Sequence, residues 1–406
     1  MLNLVKRQPL ATRLMLCLAL LPGLAAAGSG RGLNPWAKLE LSVAGVDKYL
    51  GRYEPVKTED VGDGWVKHSF DSANGDGPIC IDGSDYAVFT RKGRDRKKLL
   101  IMLQGGGACW QGLYACNESL DAQEQQAPAP RQGIWDFDRK DNPFARYSIV
   151  FVPYCDGSAF VGDNRVDDPF FDAQTGVDGV RHHRGLRNLS AGMDVARATF
   201  KNPKMITVAG SSAGGVGAVA FAPFLTRFVY GNKIKRFTVL NDAGPIALSQ
   251  DPQAAIVARV EDWKFDQFYP SSCTDCSPFA DNTVILNWRL KNDTGVRDAF
   301  YETDADTTNI FFASANLPGS PPFFLLSQNM YRDIVLDGHD AINDAYPDRY
   351  KRFIVSGDRS HTALQTDLFY TQDANGVPLN EWTKAFIGNK KSWIDIVEDF
   401  IAAPPL

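Results

Sequence analysis

Residues Met205 to Gly215 read MITVAGSSAGG, an apolar run that breaks into six small residues. The run Met205–Ala209 has the composition of a buried strand, and the apolar stretch from Ala213 to about Tyr230 that of a helix. Between them, Gly210-Ser211-Ser212-Ala213-Gly214 fits the pattern G-x-S-x-G with Ser212 at its centre. A serine on so sharp a strand-to-helix bend needs small neighbours, and the bend lifts its hydroxyl above the sheet edge. The bland alternative is an ordinary tight turn. The placement between a strand and an apolar helix favours a nucleophile, with the Ala213 N–H as one donor to an oxyanion.

Outward from this turn, short apolar runs alternate with helical patterns. Tyr86–Thr90 and Lys98–Leu103 read as neighbouring strands joined by a charged turn, and Ser148–Pro153 as another strand. Gly185–Phe200 reads as a helix, Phe237–Asn241 and Asp298–Glu302 as strands, Thr307–Leu317 as helix-like and Lys351–Ser356 as the last strand. Trp393, Ile394, Val397, Phe400 and Ile401 have the spacing of a closing helix. Continuous apolar strands separated by helices predict an α/β fold, a mostly parallel sheet flanked by helices. Residues 111–146 and 156–184 read as long polar loop insertions.

Composition narrows the function. The net charge is −5 and no basic patch stands out, which argues against nucleic acid. The first residues carry Lys6, Arg7 and Arg13, then the apolar run LMLCLALLPGL, then Ala25-Ala26-Ala27-Gly28. That order predicts a signal peptide over 1–27, with one domain over 28–406 that is secreted or periplasmic and has no membrane span. Apart from Cys17 in the leader, six cysteines remain: Cys80, Cys109, Cys116, Cys155, Cys273 and Cys276. An even number in an exported chain predicts disulfides. Cys273-x-x-Cys276 alone also fits a redox pair or half a zinc site, but no second pair supports zinc. His182-His183 is a poor chelating pair. No metal and no cofactor is expected, for no nucleotide-binding fingerprint is present.

A serine nucleophile needs an oxyanion hole, a base and an acid. Strand 98–103 ends in Gln104-Gly105-Gly106-Gly107, which offers the Gly106 and Gly107 N–H groups. Two histidines follow Ser212. His339 lies in a polar stretch with no strand before it, whereas His361 follows strand 351–356 by a short loop and is the predicted base. Asp304, Asp306 and Asp242 each follow a strand and each suits the acid, and Asp306 also suits the N-cap of the next helix.

Six segments in this order, LQGGGACW, YCDGSAFVGD, HHRGLRN, VAGSSAGGVGA, NDAGP and SHTAL, resemble the pectinacetylesterase family, which includes the Notum carboxylesterases. The likeness runs from about Leu99 to Leu364. It implies an α/β-hydrolase-like fold and ester hydrolysis by a Ser-Asp-His triad, with Ser212 and His361 in the matching places. The family acid stands in an Asp-x-x-Gln pattern, which falls on Asp306 with Asn309 in place of the Gln. The resemblance also implies a Cys109–Cys116 bridge, with Cys80–Cys155 as a second and Cys273–Cys276 as the remaining pair. The aromatic that relatives carry beside the oxyanion loop is Ala108 here, or is displaced to Trp110, which bears on acyl-pocket size. The implied substrate is an O-acyl ester, most simply acetyl on a small molecule or a polysaccharide such as pectin. A lipase-like or polyester-cleaving esterase and a non-catalytic exported binding protein are the alternatives.

Overall fold

A computed structural model describes residues 32–72, 76–116, 126–171, 179–244, 254–279, 283–316 and 325–405. The expected leader, with Cys17, lies outside them. The apolar runs pair into a ten-stranded sheet. Its strands in chain order are β1 (Lys57–Gly62), β2 (Trp65–Phe70), β3 (Tyr86–Arg91), β4 (Asp95–Leu103), β5 (Tyr147–Val152), β6 (Met205–Ser211), β7 (Arg236–Asp242), β8 (Val296–Thr303), β9 (Tyr350–Val355) and β10 (Ile396–Val397). Their spatial order is β1-β2-β3-β5-β4-β6-β7-β8-β9-β10. The strands from β5 to β10 run parallel, and β1, β2 and β3 add an antiparallel flank.

The central strands are apolar throughout because both sheet faces are covered. Along β4, Leu99, Ile101 and Leu103 enter one core, while Leu100 and Met102 enter the other. Strand β5 divides likewise, Val150 and Val152 against Ile149 and Phe151. Side chains that alternate across a pleat feed two cores from one unbroken apolar run. Strand β4 leads on to β5 on one side, whereas β6 leads on to β7 on the other. Connections that diverge from adjacent parallel strands leave a crevice at their carboxyl ends. The Gln104–Gly107 loop and the Gly210–Gly215 turn flank that crevice.

Three sequence expectations need correction. Strands β3 and β4 are not neighbours, because β5 lies between them with Phe151 opposite both Phe89 and Met102. Each run is apolar on both faces and needs two partners, which the short turn joining them does not reveal. The helix expected from Ala213 to about Tyr230 is two helices, Ala213–Val219 and Ala222–Tyr230, bent by 49°. Pro223 has no N–H to give the Val219 carbonyl, and the Arg289 guanidinium supplies that hydrogen bond instead. The expected closing helix is also absent. The last long helix is Leu379–Gly388, which ends at Asn389 in the left-handed conformation. Beyond it the chain is largely extended and forms β10, with Asp395 accepting from the Arg352 backbone (2.6 Å) and pairing with its guanidinium (2.8 Å). Ile394, Phe400 and Ile401 stay exposed.

Arg289 joins this bend to the sheet, for it also pairs with the buried Asp298 on β8. Arg289→Met should destabilise the fold by about 3–5 kcal/mol, because a buried carboxylate and a carbonyl lose their partner. Arg289→Met with Asp298→Asn should recover part of that loss. Urea unfolding of the two variants measures both.

Candidate functional site

The turn after β6 is packed backbone against backbone. A Cβ on Gly210 would lie 2.0 Å from the Gly214 carbonyl oxygen, and one on Gly214 would lie 2.2 Å from that of Leu103. Only glycine allows these approaches. They force Ser212 to φ 56° and ψ −123°, a region that side-chain-bearing residues rarely occupy. Ser212 stands at the N-terminus of helix Ala213–Val219 and lines two adjoining spaces.

One is an open cleft of about 660 Å³ lined by Gln104, Gly106, Thr308, His361 and Gln365. The other is a more enclosed pocket of about 60 Å³, walled by Ala108, Trp110, Val216, Trp263 and Phe312. Gly107 lines both, and Ala213 lines the enclosed one. Gly107 has φ +74°, and a Cβ there would lie 2.0 Å from the Ala115 carbonyl oxygen, so the glycine loop also sits backbone to backbone. Trp110 is the aromatic wall. It meets Trp263 edge to face at 6.0 Å, and the Trp263 indole N–H donates to the Cys109 carbonyl at 2.8 Å.

The two serines of the turn have different surroundings. Ser211 donates from Oγ to Asp242 at 2.5 Å, and the Ser212 N–H donates to the Asp242 carbonyl at 2.8 Å. Asp242 also accepts the N–H groups of Ala363 (2.9 Å) and Leu364 (3.1 Å). Its carboxyl is fully buried, and burial pushes its pKa up against the pull of these donors. Asp242 therefore ties the elbow to the segment that follows His361. Thr303 anchors the same segment from the other side, donating from Oγ1 to the Ser360 carbonyl at 2.9 Å.

Of the three carboxylates weighed in the sequence, it is Asp306 that meets the imidazole. Its Oδ2 lies 2.6 Å from His361 Nδ1, with Asp306 buried and the His361 side chain 21 % exposed. Asp306 is also the N-cap of helix Thr307–Ala315, its Oδ1 accepting the Asn309 N–H at 2.9 Å. One oxygen of Asp306 thus meets the imidazole while the other caps the helix. An N–H donated to Asp306 leaves His361 Nε2 as the acceptor. Asp304 is taken up elsewhere, by Arg332 (2.6 Å), Ser356 Oγ (2.6 Å), Gln328 (2.7 Å) and the Gly357 N–H (2.9 Å). His339 is buried in the helix Gln328–Ala345, stacked on Phe300 and hydrogen-bonded to the Tyr350 hydroxyl.

The cysteines pair as Cys80–Cys155, Cys109–Cys116 and Cys273–Cys276. The second bridge closes the hairpin of Gly107–Trp110 and Leu113–Cys116, which carries part of the pocket wall. Among the described residues, no group of three or more His, Cys, Asp or Glu is placed to hold a metal. His183 is buried, with Nδ1 3.1 Å from the Asp156 carbonyl and Nε2 facing the Arg181 guanidinium at 2.7 Å.

Sequence reasoning passed over Glu302. It is fully buried on β8, accepting from the Thr303 N–H (2.9 Å) and from Asn309 Nδ2 (3.0 Å). Asn309 Nδ2 also donates to Asp306 at 3.1 Å, so one amide spans both carboxyls. Burial, then the charge of Asp306, pushes the Glu302 pKa well above the usual range. The available signal was a glutamate in the middle of an otherwise apolar strand end. Native protein holds a proton at Glu302 that the unfolded chain releases above the ordinary carboxyl range, so this group's stabilisation falls as pH rises through that window. Relative to wild type, Glu302→Gln should gain stability progressively as pH rises above the ordinary carboxyl range, as urea midpoints across a pH series will show.

Comparison with known proteins adds the family. A model described as Pectinacetylesterase matches residues 66–276, just over half of the chain. Pectin acetylesterase 7 of Arabidopsis thaliana is 29% identical over 161 residues, 36% of this chain and 38% of its own length. Palmitoleoyl-protein carboxylesterase notum2 of Xenopus laevis is 26% identical over 147 residues, 34% of this chain and 28% of its own length. The chain therefore matches well under half the length of either relative. In three dimensions it is similar to the Wnt deacylase Notum from Drosophila, with a TM-score of 0.58 and 17% identity, over 81% of this chain and 95% of that one. That likeness is one of fold, the α/β hydrolase fold. The family match takes in the glycine loop, the serine elbow and all three disulfides, and on it this chain belongs to the pectinacetylesterase family.

Proposed function

We propose that the protein is an exported serine carboxylesterase that hydrolyses short O-acyl esters, acetyl being the simplest, on a small-molecule or polysaccharide acceptor. The observation that carries the reading is the 2.6 Å contact of His361 Nδ1 with Asp306, on a histidine that opens into the same cleft as Ser212. Membership of a family whose relatives include a pectin acetylesterase and a palmitoleoyl-protein carboxylesterase supports ester hydrolysis. Three disulfides and the leader-like first residues support export.

In this reading Ser212 Oγ attacks the ester carbonyl as His361 Nε2 takes its proton. Asp306 holds the imidazole in that tautomer and stabilises the imidazolium. The N–H groups of Ala213, Gly106 and Gly107 receive the negative oxygen. His361 returns the proton to the departing alcohol, leaving an acyl group on Ser212. Water, activated by the same imidazole, then releases the acid. The alcohol must leave on the histidine side, which is the open cleft. The acyl group therefore occupies the enclosed pocket. A volume of about 60 Å³ has room for only a few water-sized positions, which suits a short acyl group and not a long fatty chain. That size disfavours the lipase-like reading.

Nitrophenyl acetate should give a burst of nitrophenol that a serine-directed fluorophosphonate abolishes. Ser212→Ala and Asp306→Asn should each lower kcat by on the order of 10³-fold or more. Absence of a burst would leave the non-catalytic binding reading standing. Across nitrophenyl esters, kcat/KM should be highest between acetyl and butyryl and fall at octanoyl. A profile that rises with chain length would favour the lipase-like alternative.

A further inference from the structure

The enclosed pocket beside Ser212 carries a charge. Arg259, on the helix Ala254–Trp263, lines it and is itself only 2% exposed. Among the described residues, every other buried arginine faces a carboxylate. Arg181 pairs with Asp168 and Asp262, Arg184 and Arg187 with Asp163, Arg227 with Asp293, Arg289 with Asp298, and Arg352 with Asp395. Arg259 has none. Its Nη2 reaches the Pro278 carbonyl at 3.4 Å, at the limit of a hydrogen bond, and its Nε has no partner. The guanidinium rests 5.6 Å from the Trp263 ring and 5.8 Å from that of Phe265, and aromatic faces attract a cation without satisfying its N–H groups. Burial pulls its pKa down only to about 10, so it is charged at neutral pH. Asn316, in the same pocket, has a buried Oδ1 without a partner as well.

A buried cation without a counter-ion is unfavourable unless something supplies one. A pocket for acetyl needs none, because a methyl group offers an arginine nothing to bind. We propose that the acyl pocket takes a short acyl group ending in a carboxylate, a hemi-ester of a dicarboxylic acid of the succinyl class, with Arg259 pairing with the distal carboxylate. A succinyl tail places about five heavy atoms beyond the ester carbonyl, which keeps it in the short-acyl class. Planar guanidinium and planar carboxylate suit each other in two-point contact. This rests on Ser212 as nucleophile and on the enclosed pocket as the acyl side. The reaction balances as hemi-ester anion plus water giving alcohol, dicarboxylate dianion and a proton. The bond broken joins carbonyl carbon to alkoxy oxygen, and the alkoxy oxygen takes its proton from His361.

The test compares ethyl hydrogen succinate with ethyl butyrate, by released ethanol, on the full chain. Alkyl hemi-esters avoid the rapid self-hydrolysis of aryl ones. Wild type should favour the hemisuccinate by at least about tenfold in kcat/KM, and free succinate should inhibit far better than butyrate. In Arg259→Met the ratio of the two esters should fall at least about tenfold, chiefly through KM, with Arg259→Lys recovering part of it. Wild type that prefers the neutral ester, or a ratio unchanged in Arg259→Met, overturns the proposal. If Arg259→Met does not fold, the wild-type ratio and the succinate inhibition decide alone. Nitrophenyl acetate separates the two failures. Turnover of it without a preference for the carboxylate sinks only this inference, whereas no turnover of any ester sinks the esterase reading beneath it as well.

Discussion

One buried carboxylate holds the two ends of the site in register. Asp242 accepts from Ser211 on the elbow and from the backbone of Ala363 and Leu364, more than a hundred residues away in sequence. Its charge is far from water, so each of these donors is strongly held and none can be given up cheaply. The elbow itself is held by crowding, since Gly210 and Gly214 let the chain turn where any Cβ would strike a carbonyl. A serine set by backbone contact and a histidine loop set by a shared carboxylate leave little freedom between them. That is how a fold positions reacting groups without covalent links between their elements.

Behind the imidazole lies a second layer. Asp306 caps a helix with one oxygen and meets His361 with the other, so the helix Thr307–Ala315 aims the carboxylate. Asn309 then ties Asp306 to Glu302, a carboxyl that burial keeps protonated. Two adjacent carboxyls in a dry site avoid mutual repulsion only when one stays neutral.

Buried charges elsewhere are paired, although single polar atoms such as Arg184 Nε and Arg289 Nε lack a partner. Buried arginines are matched to aspartates across helix–sheet and loop contacts, and Arg289 even replaces the amide proton that Pro223 lacks. Against that background Arg259 is an exception located in the cavity next to the proposed nucleophile. Local departures from otherwise consistent packing are expected where function is served.

The sequence alone determined the α/β class, because apolar runs of strand length alternated with helical ones, and it determined the elbow, because only small residues fit a bend whose neighbours touch it backbone to backbone. The glycine loop was legible for the same local reason, whereas His361 was singled out by its place after a strand. Strand order was not legible, since Phe151 came between two runs that a short turn joins, and apolar composition does not say which run pairs with which. The false closing helix arose because Trp393, Ile394 and Val397 have helical spacing, while the chain there is drawn out by pairing with β9 and by Asp395 on Arg352. Asp242, Asp304 and Asp306 all follow strands, and in the sequence only the family's Asp-x-x-Gln pattern set Asp306 apart. Their differences lie in partners brought from Arg332, Ala363 and His361, and such distant encounters are decided only when the sheet assembles.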